Sequence, residues 1–176
     1  MKRLILICLF AVVTAACAGN ESVAPQKSSN QTASAPQASP LNPAEAVQFS
    51  APKMQIKAGD SGEAILKLKI QPPFHINANP PSENYLIPTT VEFESNNGLT
   101  FEKPSYPAGE SKKFEFSEKP LAVYEGEIEI KLPVKVEAKV SKGEQNVNGK
   151  LRFQACDEAV CYRPQTVDVV IPIDIS

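Results

Sequence analysis

The 176-residue chain has no tryptophan, one histidine and only four cysteines, and each scarcity closes off a class of function. Cys8 and Cys17 fall in an N-terminal targeting segment, so the folded part holds only Cys156 and Cys161. Two cysteines and the remote His75 do not make a closed tetrahedral zinc site. His75 lies between Phe74 and Ile76 and reads as a packed or loop residue rather than a ligand. No Cys-x-x-Cys occurs, and no alternation of strand and helix patterns that would host a thioredoxin-type site. Basic residues never cluster, and 18 Lys and Arg face 20 Asp and Glu, so no nucleic-acid partner is expected. No stretch carries a convincing helical period, which leaves period-two strands.

The longest apolar run, residues 4–13, is shorter than the roughly 20 residues that span a bilayer. It follows the positive Met1-Lys2-Arg3 and precedes the small residues Thr14-Ala15-Ala16, the pattern of a signal peptide. Cys17 directly after them looks like a bacterial lipobox, with Thr14 where Leu is usual. Residues 1–16 are therefore expected to be a lipoprotein signal peptide, and Cys17 a diacylated N-terminus; the competing expectation is an ordinary cut near Ala16 or Ala18. Either outcome discards Cys8 and puts the mature chain outside the cytoplasm, where a disulfide persists. Ala18 is not the Asp associated with inner-membrane retention, so the periplasmic face of the outer membrane is the expected location. Residues 18–48 are rich in Ser, Ala, Pro, Gln and Asn and poor in branched apolar residues. Such a segment cannot offset its ordering entropy, and the expectation for 17–48 is a lipidated cysteine and a disordered tether reaching on the order of 30 Å.

Residues 49–176 are the size of one domain with one core. Loss of Lys2 and Arg3 with the leader moves the formal charge from −2 to −4. Ala64, Leu66, Leu68 and Ile70 alternate with charged neighbours, and Gln71-Pro72-Pro73 stops that strand. Phe74 to Asn77 reads as a short strand, and Thr89, Val91 and Phe93 as one face of the next. Asn96-Asn97-Gly98 is an expected turn before a strand at 99–102. Residues 113–116 and 121–124 read as strands flanking Ser117-Glu118-Lys119-Pro120. The clearest strand is 127–140, with Pro133 marking an edge or a bulge. Further strands are expected at 147–155 and 166–175. Eight or nine strands punctuated by Pro and Gly predict an all-β fold, an immunoglobulin-like antiparallel β-sandwich, with a barrel as the alternative. The Cys-Trp-Cys of antibody domains is absent, because both cysteines sit in one loop.

That loop is Phe153-Gln154-Ala155-Cys156-Asp157-Glu158-Ala159-Val160-Cys161-Tyr162-Arg163-Pro164, between two strand-like runs. Two cysteines so close reach disulfide distance only if the chain bends between them. In the chain-entropy model such a small loop is worth about 2 kcal/mol, against roughly 4.7 for one of 100 residues. A disulfide serving stability would gain more by joining distant strands. The local charges pull both ways: Asp157 and Glu158 disfavour a thiolate, and Arg163 favours one. From the residues alone a structural staple and a redox site both stand.

The stretch from Phe153 to Thr166 resembles the active-site hairpin of the N-terminal periplasmic domain of the thiol:disulfide interchange protein DsbD family. Phe74-His75-Ile76-Asn77-Ala78-Asn79, Tyr85-Leu86-Ile87-Pro88-Thr89 and Leu121-Ala122-Val123-Tyr124 are similar to that family as well. The resemblance covers roughly residues 48–176 and implies an immunoglobulin-like sandwich. It implies that Cys156 and Cys161 are a redox pair, reduced by a membrane electron donor and in turn reducing thioredoxin-fold periplasmic proteins, with no cofactor. By the same resemblance Phe116 is the aromatic cap that shields the pair, and the chain is a protein-disulfide reductase component. The cysteine spacing is one residue shorter than in the familiar bacterial enzyme, and a lipid anchor stands where that enzyme has its transmembrane carrier. The mixed disulfide is expected on Cys161, because Cys156 is nearer two carboxylates. Two other functions fit the residues: a binding or assembly lipoprotein with a structural disulfide, and a minor Cu(I) site using the soft sulfurs.

Overall fold

A computed structural model describes residues 42–95 and 98–176. The expected signal peptide, Cys17, the expected tether up to residue 41 and the Asn96-Asn97 part of the expected turn lie outside the described residues. No helix among the described residues is long and apolar enough to cross a membrane.

The described chain is all-β, an immunoglobulin-like sandwich. After a single 3-10 turn at Pro43–Glu45 come β1 (Val47–Ser50), β2 (Met54–Ile56), β3 (Ser61–Ile70), β4 (His75–Asn77), β5 (Thr90–Phe93) and β6 (Leu99–Phe101). They are followed by β7 (Glu110–Lys112), β8 (Leu121–Tyr124), β9 (Glu127–Val136), β10 (Gly143–Phe153), β11 (Ala155–Cys156) and β12 (Gln165–Ile175). One sheet has the order β1-β3-β9-β6, the second β2-β12-β10-β5, and a third, smaller one β11-β4-β8-β7. All pairings are antiparallel except β2 with β12.

The alternation read from the sequence sets which face is buried. Leu66, Leu68 and Ile70 on β3, Ile130, Leu132 and Val134 on β9, Leu151 and Phe153 on β10, and Ile171 and Ile173 on β12 meet in one core. Each such buried side chain is worth roughly 1.5–3 kcal/mol. The opposite face of β3 and β9 is charged, and the register sets Lys67 across from Glu129 at 3.0 Å.

Several boundaries differ from expectation, each for a local reason. The folded part reaches back to Asn42, whose side chain accepts the Ala44 N–H, and Ala46 and Val47 are buried ahead of residue 49. β9 stops at Val136, because the Glu137 N–H turns to the Gly98 carbonyl and Val140 closes a turn onto Glu137. Pro133 lies within β9, between β3 and the end of β6, and its carbonyl accepts the Glu102 N–H at 2.9 Å. Its nitrogen faces that same side, where β6 has ended at Phe101 and the next pairing of β9 is the isolated bridge from Lys131 to Ser105. Residues 113–116 form no strand, the chain turning at 114–117 instead, and the strand beside β8 is the polar Glu110–Lys112. Gly109 permits that pairing, since a Cβ there would sit 2.5 Å from the Ala78 Cβ. The expected eight or nine strands become twelve because β1, β2, β7 and β11 are short pieces.

Candidate functional site

β10 and β12 form a long hairpin, paired from Gly143↔Ile175 to Phe153↔Gln165. At Gln154 the outgoing strand leaves that sheet and continues as β11 in the small sheet, opposite β4. The hairpin tip therefore leans onto β4 and carries both cysteines.

Cys156 and Cys161 are joined as a disulfide, with Cα atoms 4.0 Å apart. The tip is also closed by backbone bonds, Asp157 N–H to the Val160 carbonyl and Tyr162 N–H to the Ala155 carbonyl, both 2.9 Å. Asp157 organises the turn: its Oδ1 accepts the N–H groups of Ala159 and Val160, and the Tyr162 hydroxyl donates to Oδ2 at 2.5 Å. The Tyr162 hydroxyl and then the two N–H groups hold its carboxyl below the ordinary carboxylate range. Sequence reasoning gave Asp157 only a charge effect on the thiols and missed this role; the acceptor two and three residues ahead of free N–H groups was the available signal.

Gln154 anchors the tip from below. Its Oε1 accepts from Asn77 Nδ2 at 3.2 Å and from the Ile87 N–H at 3.4 Å, and its Nε2 donates to the Tyr162 carbonyl at 2.9 Å. β4, the loop before β5 and the returning arm of the hairpin are thus fixed to one another by a single amide.

The small sheet has two covered faces. Ile76, Tyr124 and Ala155 point into the main core. The opposite face carries His75, Asn77, Val123 and Cys156, and is roofed by Leu86 and Phe114, which cluster with Leu121 and Val123. Above that roof Phe116 is 39 % exposed and shares a groove with Tyr85, Val160 and Cys161. Tyr85 and Val160 are 69 % and 49 % exposed, so the groove is an apolar surface open to solvent. Cys156 is fully buried, whereas Cys161 is half-buried at the groove.

Three rings stack inward from this surface. Phe116 lies 5.3 Å from Phe114, and Phe114 lies 4.0 Å from His75, centroid to centroid. His75 is completely buried, and neither ring nitrogen has a hydrogen-bond partner among the described residues. Burial pushes its pKa down, against Glu125, with Lys112 lowering and Asp157 raising it. Arg163 and Glu158 are exposed, and the Arg163 guanidinium makes no ion pair among the described residues. The structure thus brings Cys156, Cys161, Asp157 and Phe116 together and leaves Arg163 and Glu158 on the rim. No cluster of three or more metal-ligating side chains occurs among the described residues.

Residues 37–172 match the family described as thiol:disulfide interchange protein DsbD, N-terminal. No curated protein sequence matches the chain. Among solved structures, the N-terminal periplasmic domain of ScsB from Proteus mirabilis is similar at 18 % identity and a TM-score of 0.40, over 73 % of this chain and 45 % of that one. AggA, the major subunit of aggregative adherence fimbriae type I from Escherichia coli, is similar at 9 % identity and a TM-score of 0.40, over 74 % and 94 %.

Proposed function

This chain belongs to the family of DsbD N-terminal domains, and from that premise we propose that it is a periplasmic thiol–disulfide exchange module. It passes an electron pair through Cys156 and Cys161, from a membrane reductase to thioredoxin-fold proteins of the periplasm, while a lipid on Cys17 holds it at the outer membrane. The observation that carries this reading is the asymmetry of the pair: a half-buried Cys161 at an apolar groove and a fully buried Cys156 behind it.

Exchange requires one sulfur that a partner thiolate can reach in line and a second that leaves. Here the partner's thiolate attacks Cys161 Sγ, the bond between Cys161 and Cys156 breaks, and Cys156 leaves with the electron pair. The partner's second thiol then displaces Cys161, so the partner becomes a disulfide and this domain a dithiol. Onward transfer runs the same steps in reverse. Accessibility, more than the neighbouring carboxylates, supports Cys161 as the sulfur in the mixed disulfide.

A purely structural role fits the tip less well. Backbone bonds and Asp157 already close the turn that the disulfide would be stapling. Phe116, Tyr85 and Val160 supply a docking rim, and Phe116 is the proposed shield of the resting pair.

The test is trapping in the periplasm. Cys156→Ala should accumulate a mixed disulfide through Cys161 with a thioredoxin-fold or membrane partner, and Cys161→Ala should accumulate little. A disulfide that thioredoxin-fold proteins cannot reduce, with neither variant trapping anything, would return the pair to a staple. Mass spectrometry of the mature chain tests the anchor, expecting a diacylated Cys17; an unmodified start at Ala18 or beyond removes it.

A further inference from the structure

His75 is the chain's one histidine, and the exchange steps above do not use it. β4 and β11 pair so that His75 stands directly opposite Cys156. Directly opposed residues leave a sheet on the same face, with Cβ atoms roughly 4.5–5.5 Å apart. Both side chains are fully buried, and the flat contact with Phe114, 18° between planes, holds the imidazole in place. Neither ring nitrogen has a hydrogen-bond partner among the described residues. A buried polar group without a partner calls for an explanation.

The oxidised pair suggests one. A disulfide has no proton to donate and is a poor acceptor, so the imidazole has nothing to bond while the pair is closed. Once the pair opens, Cys156 becomes a buried thiol beside it. Burial favours the neutral thiol over the thiolate, yet only the thiolate can attack. Asp157 is occupied by the turn and by Tyr162, and the Arg163 guanidinium is already protonated, so neither takes the proton.

We propose that His75 is the acid–base partner of Cys156, removing the thiol proton as Cys156 closes the disulfide. The inference rests on the exchange reading. In this step Cys161 Sγ is bonded to a partner sulfur. Cys156 Sγ gives its proton to the imidazole and its electron pair to a new bond with Cys161. The bond between Cys161 and the partner breaks, and the partner leaves as a thiolate carrying that pair. The imidazolium then releases its proton to solvent. In the opening direction His75 returns a proton to the departing Cys156. The charged groups that bias the ring are Glu125 beyond β8, Lys112 on β7 and Asp157 beyond β11; Lys112 and Glu125 pair with each other.

The test uses chemically reduced protein and an aryl disulfide, 5,5′-dithiobis(2-nitrobenzoate). The first thiolate released reports attack by Cys161, and the second reports ring closure by Cys156. His75→Phe preserves the stack and should leave the first release unchanged while slowing the second about 100-fold, the lower end for a positioned acid–base group. His75→Gln hydrogen-bonds but takes no proton, and should be as slow. The wild-type second phase should lose rate as the imidazole protonates, an inflection missing from both variants. An unchanged second release, or a slower one that keeps the wild-type pH profile, overturns the proposal. If the variants do not fold, the ring ¹⁵N shifts of the single histidine decide it in the unmodified protein: they should differ between disulfide and dithiol, and identical shifts overturn it. The aryl disulfide reacts whether or not any thioredoxin-fold protein does, so failure here removes His75 alone, and failure of the trapping experiment removes the exchange reading.

Discussion

Phe116 stacks on Phe114 with planes only 14° apart, and its outer face opens on the groove that holds Cys161. On the proposed exchange reading, a ring so placed is the shield of the reachable sulfur. Phe116→Ala should therefore speed alkylation of the reduced protein by iodoacetamide several-fold. Its effect on stability should stay within about 1 kcal/mol, because the ring lies at the surface and is only partly covered. Phe114 is buried between His75 and Phe116, and Phe114→Ala should cost about 3–5 kcal/mol. Alkylation rates and denaturant melts on the two variants separate shield from support; an unchanged rate in Phe116→Ala removes the shield.

The N-terminal boundary makes a second prediction. Deleting residues 18–41 should leave stability within about 0.5 kcal/mol, the range for changes away from packed features. Extending the deletion through residue 48 removes the buried Ala46 and Val47, the Gln71 N–H bond to the Ala46 carbonyl and part of β1. That should lower stability by about 2 kcal/mol or more, from Val47 burial alone at the low end. Urea melts of the two truncations give the answer, and equal midpoints would place 42–48 with the tether.

The long strands were legible because one buried face writes a period of two into the sequence, as at Leu66, Leu68 and Ile70. Short strands held by backbone pairing leave no such mark. Glu110–Lys112 has no apolar period, while Phe114 and Phe116 imitate one although the backbone turns there to stack their rings. The cysteine pair could be found in the sequence because its partners are neighbours. The pairing of Cys156 with His75 could not, since it joins distant parts of the chain through a two-residue strand. Tyr162, Gln154 and Val160 sat inside the quoted motif, but their roles depend on where β11 leaves the larger sheet.

Acid should act on this domain in two windows. His75 is held below its ordinary 6.5 by burial, so the unfolded chain binds that proton first. Stability should then begin to fall as pH drops below 6.5 and continue until the folded ring titrates, and His75→Phe should abolish that loss. Asp157 is held below its ordinary 3.8 by the Tyr162 hydroxyl and the two N–H groups. Its contribution is complete above 3.8 and is lost as pH falls through the lower folded value. The gap between wild type and Asp157→Asn should therefore be constant near neutrality and close only in strong acid. Chemical denaturation across pH checks both, and a His75→Phe curve parallel to wild type below pH 6.5 would contradict the first.

The energy of the disulfide separates exchange from stapling. Closing a loop as short as the one between Cys156 and Cys161 is worth about 2 kcal/mol in the chain-entropy model. The Asp157 to Val160 and Tyr162 to Ala155 backbone bonds, with the three bonds to the Asp157 carboxylate, already hold the same turn. They hold the native turn in place when the sulfurs part, so what reduction removes is the constraint on the unfolded chain. Reduction should therefore leave the sandwich folded and lower stability by less than about 2 kcal/mol. Denaturant melts of the oxidised protein, the reduced protein and the Cys156→Ala/Cys161→Ala double variant measure it, with the last two expected to agree. A loss well above 2 kcal/mol would mean that the pair carries the fold. A module that must open and close its disulfide at every turnover cannot depend on it that heavily.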